Sequence, residues 1–372
     1  MTDREYGYWI NNIPGIGLVW TGRLLEHFGT AKDVFYASEE DLSHVDRLTE
    51  KNILAIQNSK NIDKIKKNME VLQSKGIDFV LRNEQKYPKK LAEIYNPPWI
   101  LYYRGDLPRE DRPSIAIVGA RNCTEYGSFI TRKLARELAE CGFQIISGMA
   151  RGIDAYAHKG ALECEYGKTF GILGCGIDTC YPRENIDIFM NTINNGGIIS
   201  EYPMYTIARA GNFPMRNRII SGLADALLVV EARKKSGSLI TVDLALEQGK
   251  EVYVIPGRMD DPLSEGCNNL IKMGAKLVTC VEDILEDFSC INKEVKSKKR
   301  NENMCIKSEE CENLLASNEK IVYACLRLEP KHMDEILCET QLGLSEVIKI
   351  LFSLEEKNMI IQNRNNYYSR LN

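Results

Sequence analysis

The sequence lacks the patterns that mark several common kinds of site. It has no Cys-x-x-Cys pair, and its 12 cysteines are accompanied by only four histidines, so the ligand spacing of a zinc site is missing. No stretch approaches the roughly 18 unbroken apolar residues of a membrane span, and the charged, aromatic first residues have no signal-peptide core. We therefore expect a cytoplasmic protein that holds no metal and contacts no membrane.

The chain also lacks a strong charge of either sign. Its formal net charge is −4 over 372 residues, with 44% hydrophobic and 27% charged residues, as in ordinary soluble proteins. Nucleic acid could bind only in a local basic groove, because global attraction is absent.

The composition changes along the chain and predicts four segments. Residues 1–75 have helical patterns, and the turn Gly15-Ile16-Gly17 fits either a helix-hairpin-helix or an ordinary helix–helix turn. Residues 76–288 form an α/β core. Residues 289–316, rich in Lys, Glu, Ser and Asn, are predicted to be a linker. In residues 317–372, three helices followed by a hairpin indicate a winged-helix domain.

Short apolar runs in the core alternate with longer amphipathic segments. This order predicts a mostly parallel, doubly wound sheet with helices on both faces. Ligands of such sheets bind outside the carboxyl ends of the strands. The predicted strands are Ser114–Val118, Phe143–Ser147, Lys168–Leu173, Ala226–Val230 and Glu251–Ile255.

Small residues follow these strands. Gly119, Gly148, Gly174 and Gly176 would let the backbone approach a ligand, and the helices behind them would direct N–H groups at phosphate. However, Thr179 replaces the last glycine of G-x-G-x-x-G, and no P-loop lysine motif is present. The sequence therefore predicts no dinucleotide or nucleotide cofactor.

Arginines occupy the same predicted loops. Several arginines converging on one rim would suit a chain of phosphates. The nearby aromatics Tyr181, Tyr202 and Phe213 could stack on bases, and each stacked base contributes roughly 1–3 kcal/mol to binding. This combination favours a single nucleic-acid strand. About two of the arginines, Arg151 and Arg218, are expected to form structural ion pairs instead. The arginines are Arg121, Arg151, Arg183, Arg209, Arg216 and Arg218.

A catalytic set is harder to find. Asp154 and His158 lie four residues apart on a predicted helix and so share one face. They could form an acid–base pair, but a helix-terminal carboxylate beside a packed imidazole is the favoured alternative. Nothing else strengthens the catalytic option, and no catalytic residue is predicted.

A set of motifs recurs in fixed order across the core: Gly119-Ala120-Arg121, Ser147–Asp154, Ala157–Leu162, Gly174–Asp178, Tyr181-Pro182, Ser200–Pro203, Phe213–Arg218 and Ser236–Thr241. Together they resemble the bacterial DNA-processing protein family DprA, also called Smf. The resemblance implies an extended Rossmann-like core that binds single-stranded DNA without chemistry. It also implies a homodimer that loads a RecA-type recombinase onto strands coated by single-strand-binding protein, in natural transformation and recombination.

The resemblance assigns contacts by position. Arg121, Arg183 and Phe213 occupy DNA-contacting positions of the family, whereas Ala210 stands where the family often has lysine and leaves the role of Arg209 open. The complete predicted binding set is Gly119, Arg121, Ser147, Gly148, Arg151, Gly174, Gly176, Arg183, Arg209, Phe213, Arg216, Asn217, Arg218, Gly237, Ser238 and Thr241.

Two other functions fit parts of the chain. Gly237–Thr241 lies where phosphoribohydrolases of nucleoside 5′-monophosphates carry a phosphate-binding motif, but Leu244 stands where those enzymes need glutamate. The tail could instead make a duplex-DNA regulator, although its predicted recognition helix, Ser345–Lys357, mixes lysines with glutamates. A protein contact is at least as compatible with this helix.

Overall fold

The computed structural model describes residues 1–288, 317–327, 330–357, 359–364 and 366–370. These residues fall into two compact units, one within Met1–Phe288 and the other within Ser289–Asn372. The predicted linker 289–316 lies outside the described residues. None of the helices in the described ranges has the length and apolar character that a membrane crossing requires.

The first 75 residues are helical. Reciprocal capping begins two of the helices: Thr2 and Glu5 exchange hydrogen bonds at α1, and Ser38 and Asp41 do so at α4. Gly29 ends α2 with a φ of 83°, a conformation that favours glycine. The helices are α1 (Asp3–Asn11), α2 (Leu18–Phe28), α3 (Ala31–Tyr36), α4 (Glu39–Ser43), α5 (Glu50–Ser59) and α6 (Ile62–Ser74).

A mixed sheet forms the centre of the first unit, in the order β1-β2-β6-β5-β4-β3-β7-β8-β9. The pairings β1–β2 and β2–β6 are antiparallel, and the others are parallel. The five predicted core strands are all present, with ends shifted by one residue at most. The strands are β1 (Asp78–Leu81), β2 (Ile100–Gly105), β3 (Ser114–Gly119), β4 (Gln144–Ser147), β5 (Lys168–Ile172), β6 (Gly196–Ser200), β7 (Ala226–Val230), β8 (Glu251–Val254) and β9 (Lys276–Leu277).

Helices cover both faces of this sheet. Neighbouring strand residues alternate between two apolar cores, as a pleated strand requires: Tyr102 and Ile198 belong to one, Leu101 and Ile199 to the other. The first core also contains residues of α1 to α6, so these helices pack on the sheet. The remaining helices are α7 (Lys89–Ala92), α8 (Glu125–Glu140), α9 (Ile153–Glu163), α10 (Ile186–Asn194), α11 (Asn212–Leu223), α12 (Gly237–Glu247), α13 (Glu265–Lys272) and α14 (Glu282–Leu285).

The strand order reverses between β3 and β7. From β3 the chain builds outward through β4, β5 and β6, then returns to place β7 on the other side of β3. The loops that leave β3 and β7 therefore diverge and open a crevice, the usual ligand position in such sheets. Gly119 permits the close approach, since a Cβ there would lie 1.8 Å from the Val230 carbonyl oxygen.

The second unit has the predicted order of a winged helix. Its strands pair in the order β10-β12-β11, and Val322, Ile336, Val347 and Leu351 form part of its core. The elements are α15 (Ser317–Cys325), β10 (Lys331–His332), α16 (Met333–Thr340), α17 (Leu344–Glu356), β11 (Ile360–Arg364) and β12 (Tyr367–Arg370).

Candidate nucleic-acid interface

A cleft of about 690 Å³ opens at the carboxyl ends of β3 and β7. Among the described residues, its cationic lining consists of Arg121, Arg216, Arg233 and Lys235, against one carboxylate, Asp154. Arg121, Arg233 and Lys235 are exposed. The cleft is therefore locally basic in a chain whose net charge is negative, and it can attract phosphates.

The loop that carries Arg121 is fixed at both ends. At its start, the Ile153 N–H donates to the Ala120 carbonyl over 3.1 Å. At its end, the Thr124 N–H and hydroxyl both donate to the buried Glu231 carboxylate, the N–H over 2.9 Å. Because Glu231 directly follows β7, this contact ties the start of α8 to the neighbouring strand and holds Arg121 over the cleft.

The opposite wall is the start of α12. The Ser236 hydroxyl caps this helix by accepting from the Ser238 N–H over 3.4 Å, and the two hydroxyl oxygens lie 2.7 Å apart. Ser236, Gly237, Ser238 and Thr241 all line the cleft. The positive end of the helix dipole and its N–H groups thus meet the cationic side chains, an arrangement suited to phosphate.

Buried charges form the floor. The Asp154 carboxylate accepts from the Gly148 N–H over 3.1 Å, and burial raises the pKa of Asp154 while the nearby Arg216 guanidinium opposes that rise. Arg216 donates to the carbonyls of Gly148 (2.5 Å) and Ile172, and burial lowers the pKa of Arg216 to about 10. Arg216 therefore stays charged at neutral pH and supports the loop after β4.

His158 lies deeper and is fully buried. Its Nδ1 lies 2.7 Å from the Thr169 hydroxyl, which itself donates to the Ile145 carbonyl, so Nδ1 carries the proton. Burial lowers the pKa of His158 to about 3, and the ring stays neutral. Asp154 bonds backbone N–H groups instead of this ring, which matches the packed-imidazole alternative.

Two aromatic rings border the cleft. Tyr181 and Phe213 have ring centroids 5.6 Å apart with an interplanar angle of 33°. The Arg121 and Arg216 guanidiniums lie 5.7 and 5.9 Å from the Phe213 centroid. The third predicted aromatic, Tyr202, does not line the cleft. Cationic groups and π-faces therefore meet at one end of the site, as in proteins that bind single strands.

A family model described as DNA recombination-mediator protein A matches residues 78–289. The chain is also 37% identical over 297 residues to protein Smf of Synechocystis sp., covering 78% of this chain and 74% of that protein. The chain belongs to the DNA recombination-mediator protein A family. The match begins at β1 and includes every residue of the cleft, so the cleft lies within the part of the chain that defines the family.

Two solved structures of similar proteins support the assignment. DNA processing protein A from Streptococcus pneumoniae superposes with a TM-score of 0.66 at 32% identity, covering 77% of this chain and 98% of that one. The protein of the same name from Helicobacter pylori gives 0.52 at 33% identity, covering 59% and 96%, and its structure was described for a single-stranded DNA binding mode. The Rossmann-like fold is thus shared with proteins that carry the family name.

Half of the predicted binding set lines this cleft of the Rossmann-like core. Phe213, Asn217 and Arg216 come from α11, and the others lie in the loops and helix ends described above. The predicted residues that line the cleft are Gly119, Arg121, Phe213, Arg216, Asn217, Gly237, Ser238 and Thr241.

The other half does not line it. Ser147, Gly148, Gly174 and Gly176 are buried, and the Ser147 hydroxyl donates to the Ile117 carbonyl over 2.7 Å. These residues shape the strand ends behind the cleft, and their contact with a ligand stays a prediction.

Of the six predicted arginines, Arg121 is exposed and lines the cleft, and the other five divide into three groups. Arg218 pairs with Glu201 in a buried ion pair, and Arg151 binds Glu184 with one nitrogen–oxygen distance of 3.0 Å, as predicted for these two arginines. Arg216 is a correction: it was expected on the rim but is buried in the floor. Arg183 and Arg209 are exposed beside the cleft without lining it.

Sequence reasoning missed two cations, Arg233 and Lys235. They belong to the run Arg233-Lys234-Lys235, which follows β7 after two residues. Lys234 lies 3.8 Å from Glu265, whereas Arg233 and Lys235 line the cleft. The signal was a basic run after the carboxyl end of a core strand. This run could be recognised as part of the site only once the strand order was known.

No carboxylate of α12 lines this cleft. On α12, Asp243 is exposed and Leu244 half-buried, and neither lines the cleft. Within the described ranges, no cluster of three or more His, Cys, Asp or Glu side chains could hold a metal ion.

Proposed function

We propose that the cleft binds single-stranded DNA and that it does so without catalysing a reaction. The observation that carries this proposal is the meeting of exposed cations, a helix N-terminus and two aromatic rings at the strand-order reversal. Phosphates would lie along Arg121, Lys235 and the start of α12, and bases would turn toward the rings. The H. pylori relative, described for its single-stranded DNA binding mode, supports this ligand class.

Duplex DNA fits this site poorly. Its bases are already stacked and offer no free face to an aromatic ring, so only the phosphate contacts would remain. Fluorescence anisotropy with a labelled oligonucleotide, single-stranded or annealed, tests the difference. We expect tighter binding of the single strand and a loss of affinity between about 50 and 200 mM salt. Equal affinity for both forms, or no salt dependence, would contradict the proposal.

We also propose that the bound strand is passed to a RecA-type recombinase, including strands coated by single-strand-binding protein, in natural transformation and recombination. Support comes from the family's description as a recombination mediator. Filament formation by the recombinase on coated strands should be faster when this protein is added. An unchanged rate would count against the loading role.

The proposed homodimer should appear as a doubled mass in light scattering at micromolar concentration, and a monomer would exclude it.

The alternative function, a phosphoribohydrolase activity of this chain, can be tested directly. A phosphoribohydrolase needs an acid three residues after Thr241, and Leu244 cannot supply one. Incubation with nucleoside 5′-monophosphates should therefore release no base. Clear turnover would overturn the non-catalytic proposal.

A further inference from the structure

The chain between β6 and α11 carries residues of the cleft, and its start contacts the helical head. In this β6–α11 segment (residues 203–211), Ala208 and Ala210 line the cleft, and Arg209 between them is exposed. The side chain of Tyr205 is 69% exposed, so its packing does little to hold the start of the segment. The polar contacts made at Tyr205 therefore have a large share in fixing the path of the segment.

Two hydrogen bonds attach the start of the β6–α11 segment to the loop that follows β5. The Tyr205 N–H donates to the Asp178 carboxylate over 2.9 Å, and the Gly176 N–H donates to the Thr206 carbonyl over 2.8 Å. Tyr205 has a φ of 66°, a left-handed conformation that is unfavourable for a bulky side chain and persists where surrounding contacts hold it. The turn at Tyr205 thus depends on its partners.

Lys75, directly after α6, is a third partner of this turn. Its Nζ donates to the Tyr205 hydroxyl over 3.2 Å, lies 4.6 Å from the centre of the Tyr205 ring, and is 3.5 Å from the Asp178 carboxylate. Leu72, in the last turn of α6, belongs to one apolar core with Ile177. The backbone of Lys75 therefore has a fixed position relative to the loop after β5.

We propose that Lys75 is a positioning residue for the DNA strand: it holds the turn at Tyr205 and so fixes the course of Arg209 past the cleft. The inference rests on the proposed binding of single-stranded DNA and gives the helical head a part in it. Lys75 does not line the cleft and precedes residue 78, where the match to the family model begins. It acts through the β6–α11 segment, because ordering a loose segment during binding costs affinity.

Lys75→Met tests the proposal, since it keeps the aliphatic stem and removes the ammonium group. In fluorescence anisotropy we expect this variant to bind a labelled thymidine oligonucleotide about 3- to 10-fold more weakly than wild type, the range for one lost hydrogen bond. Lys75→Arg can still donate to Tyr205 and Asp178 and should stay within about twofold of wild type. Lys67→Met, at an exposed lysine of α6, is the control for lost charge and should also stay within about twofold.

Trypsin gives a readout of the β6–α11 segment that needs no DNA. The protease cleaves after arginine, and its rate follows the population of the open segment. Cleavage after Arg209, identified from the fragment masses, should be about 3- to 10-fold faster in Lys75→Met than in wild type. It should be unchanged in Lys67→Met. Weaker DNA binding by Lys75→Met without faster cleavage after Arg209 would overturn the positioning role.

Lys75 and Arg209 should also be coupled in their effect on affinity. Arg209→Ala should weaken binding by a larger factor in the wild-type background than in Lys75→Met, because the segment that presents Arg209 is already loose in that variant. Equal factors in the two backgrounds would show that the residues act independently, against the proposal.

The failure of this inference differs from the failure of the proposed function. Wild-type affinity of Lys75→Met, while Arg121→Ala is weakened, would reject the inference and leave the proposed function standing. Equal weakening in Lys75→Met and Lys67→Met would assign the loss to overall charge and would reject it as well. A wild-type protein that does not bind the oligonucleotide would refute the proposed function itself.

Discussion

The cleft of the first unit is the proposed DNA site, and helix α17 of the second stands at the recognition-helix position of a winged helix, yet their surfaces differ. The cleft presents the free cations Arg121, Arg233 and Lys235. On α17 one row of exposed positions four residues apart is apolar, with Leu344, Ile348 and Phe352. The fold of each unit therefore does not determine its ligand. The charge and exposure of the side chains on each surface do.

The layers beneath these two surfaces differ as well. The cleft rests on buried polar groups, with Asp154 and Arg216 in its floor and His158 beneath them. Helix α17 rests on Val347, Leu351 and other apolar residues. Buried charges cost desolvation and hold only when their partners are present. We therefore expect the cleft to depend on specific partners and on pH in a way that α17 does not.

The largest expected effect comes from Arg216→Ala. The substitution removes the donor to the carbonyls of Gly148 and Ile172 and the buried positive charge near the Asp154 carboxylate. Breaking such a buried arrangement costs about 3–5 kcal/mol, which urea unfolding would measure. Met215→Ala, an exposed neighbour on the same helix, is the control. Equal stabilities of the two variants would mean that the floor is not held by Arg216.

Arg121→Ala should have the next largest effect, on affinity instead of stability. A charge-assisted contact to phosphate is worth about 1.5–3 kcal/mol, so we expect single-stranded DNA to bind about 10- to 100-fold more weakly. Arg109, exposed and paired with Asp111 before the start of β3, is the control arginine. If Arg109→Ala weakens binding as much, the attraction comes from overall charge and not from the cleft.

His158 predicts a pH effect on the floor. Its pKa is about 3 in the folded state against 6.5 ordinarily, so stability from the neutral ring is present above pH 6.5 and is lost as the pH falls toward 3. Between pH 7 and 5 this group should remove about 2 kcal/mol from the free energy of unfolding. Urea unfolding of wild type and His158→Asn at both values measures it. A drop of the same size in the variant would assign the pH dependence to other groups.

Much of the first unit follows from the sequence, because strand alternation and strand-end glycines are local signals. The five core strands and the place of the ligand site depend on those signals alone. Arg121 and Phe213 were found from their place in the predicted strand-end loops, and the resemblance then assigned them DNA contacts. Arg233 and Lys235 were missed because their role depends on β7 lying beside β3, a contact between residues more than 100 positions apart.

Burial was the other property that the sequence could not supply. Arg216, Asn217 and Arg218 follow one another in one motif. Nothing in the local sequence shows that Arg216 lies in the cleft floor, that Arg218 forms a buried ion pair, or that the Asn217 amide lines the cleft. Their different positions arise because α11 packs against the sheet with two of these three side chains inward. Only the packed helix separates structural arginines from those available to a ligand.

The smallest expected effect is on α17, and it tests the comparison most directly. Lys349 is exposed on this helix, while Lys357 is held by the Glu319 carboxylate over 2.7 and 2.8 Å. Lys349→Ala should therefore change the affinity for single-stranded or duplex DNA by less than about twofold, because an ordinary exposed charge contributes little free energy. Anisotropy with both ligands, beside Arg121→Ala, provides the measurement. A loss on duplex DNA comparable to the Arg121→Ala loss on the single strand would make α17 a second DNA surface. The apolar face of Leu344, Ile348 and Phe352 would then be a poor guide to what the second unit binds.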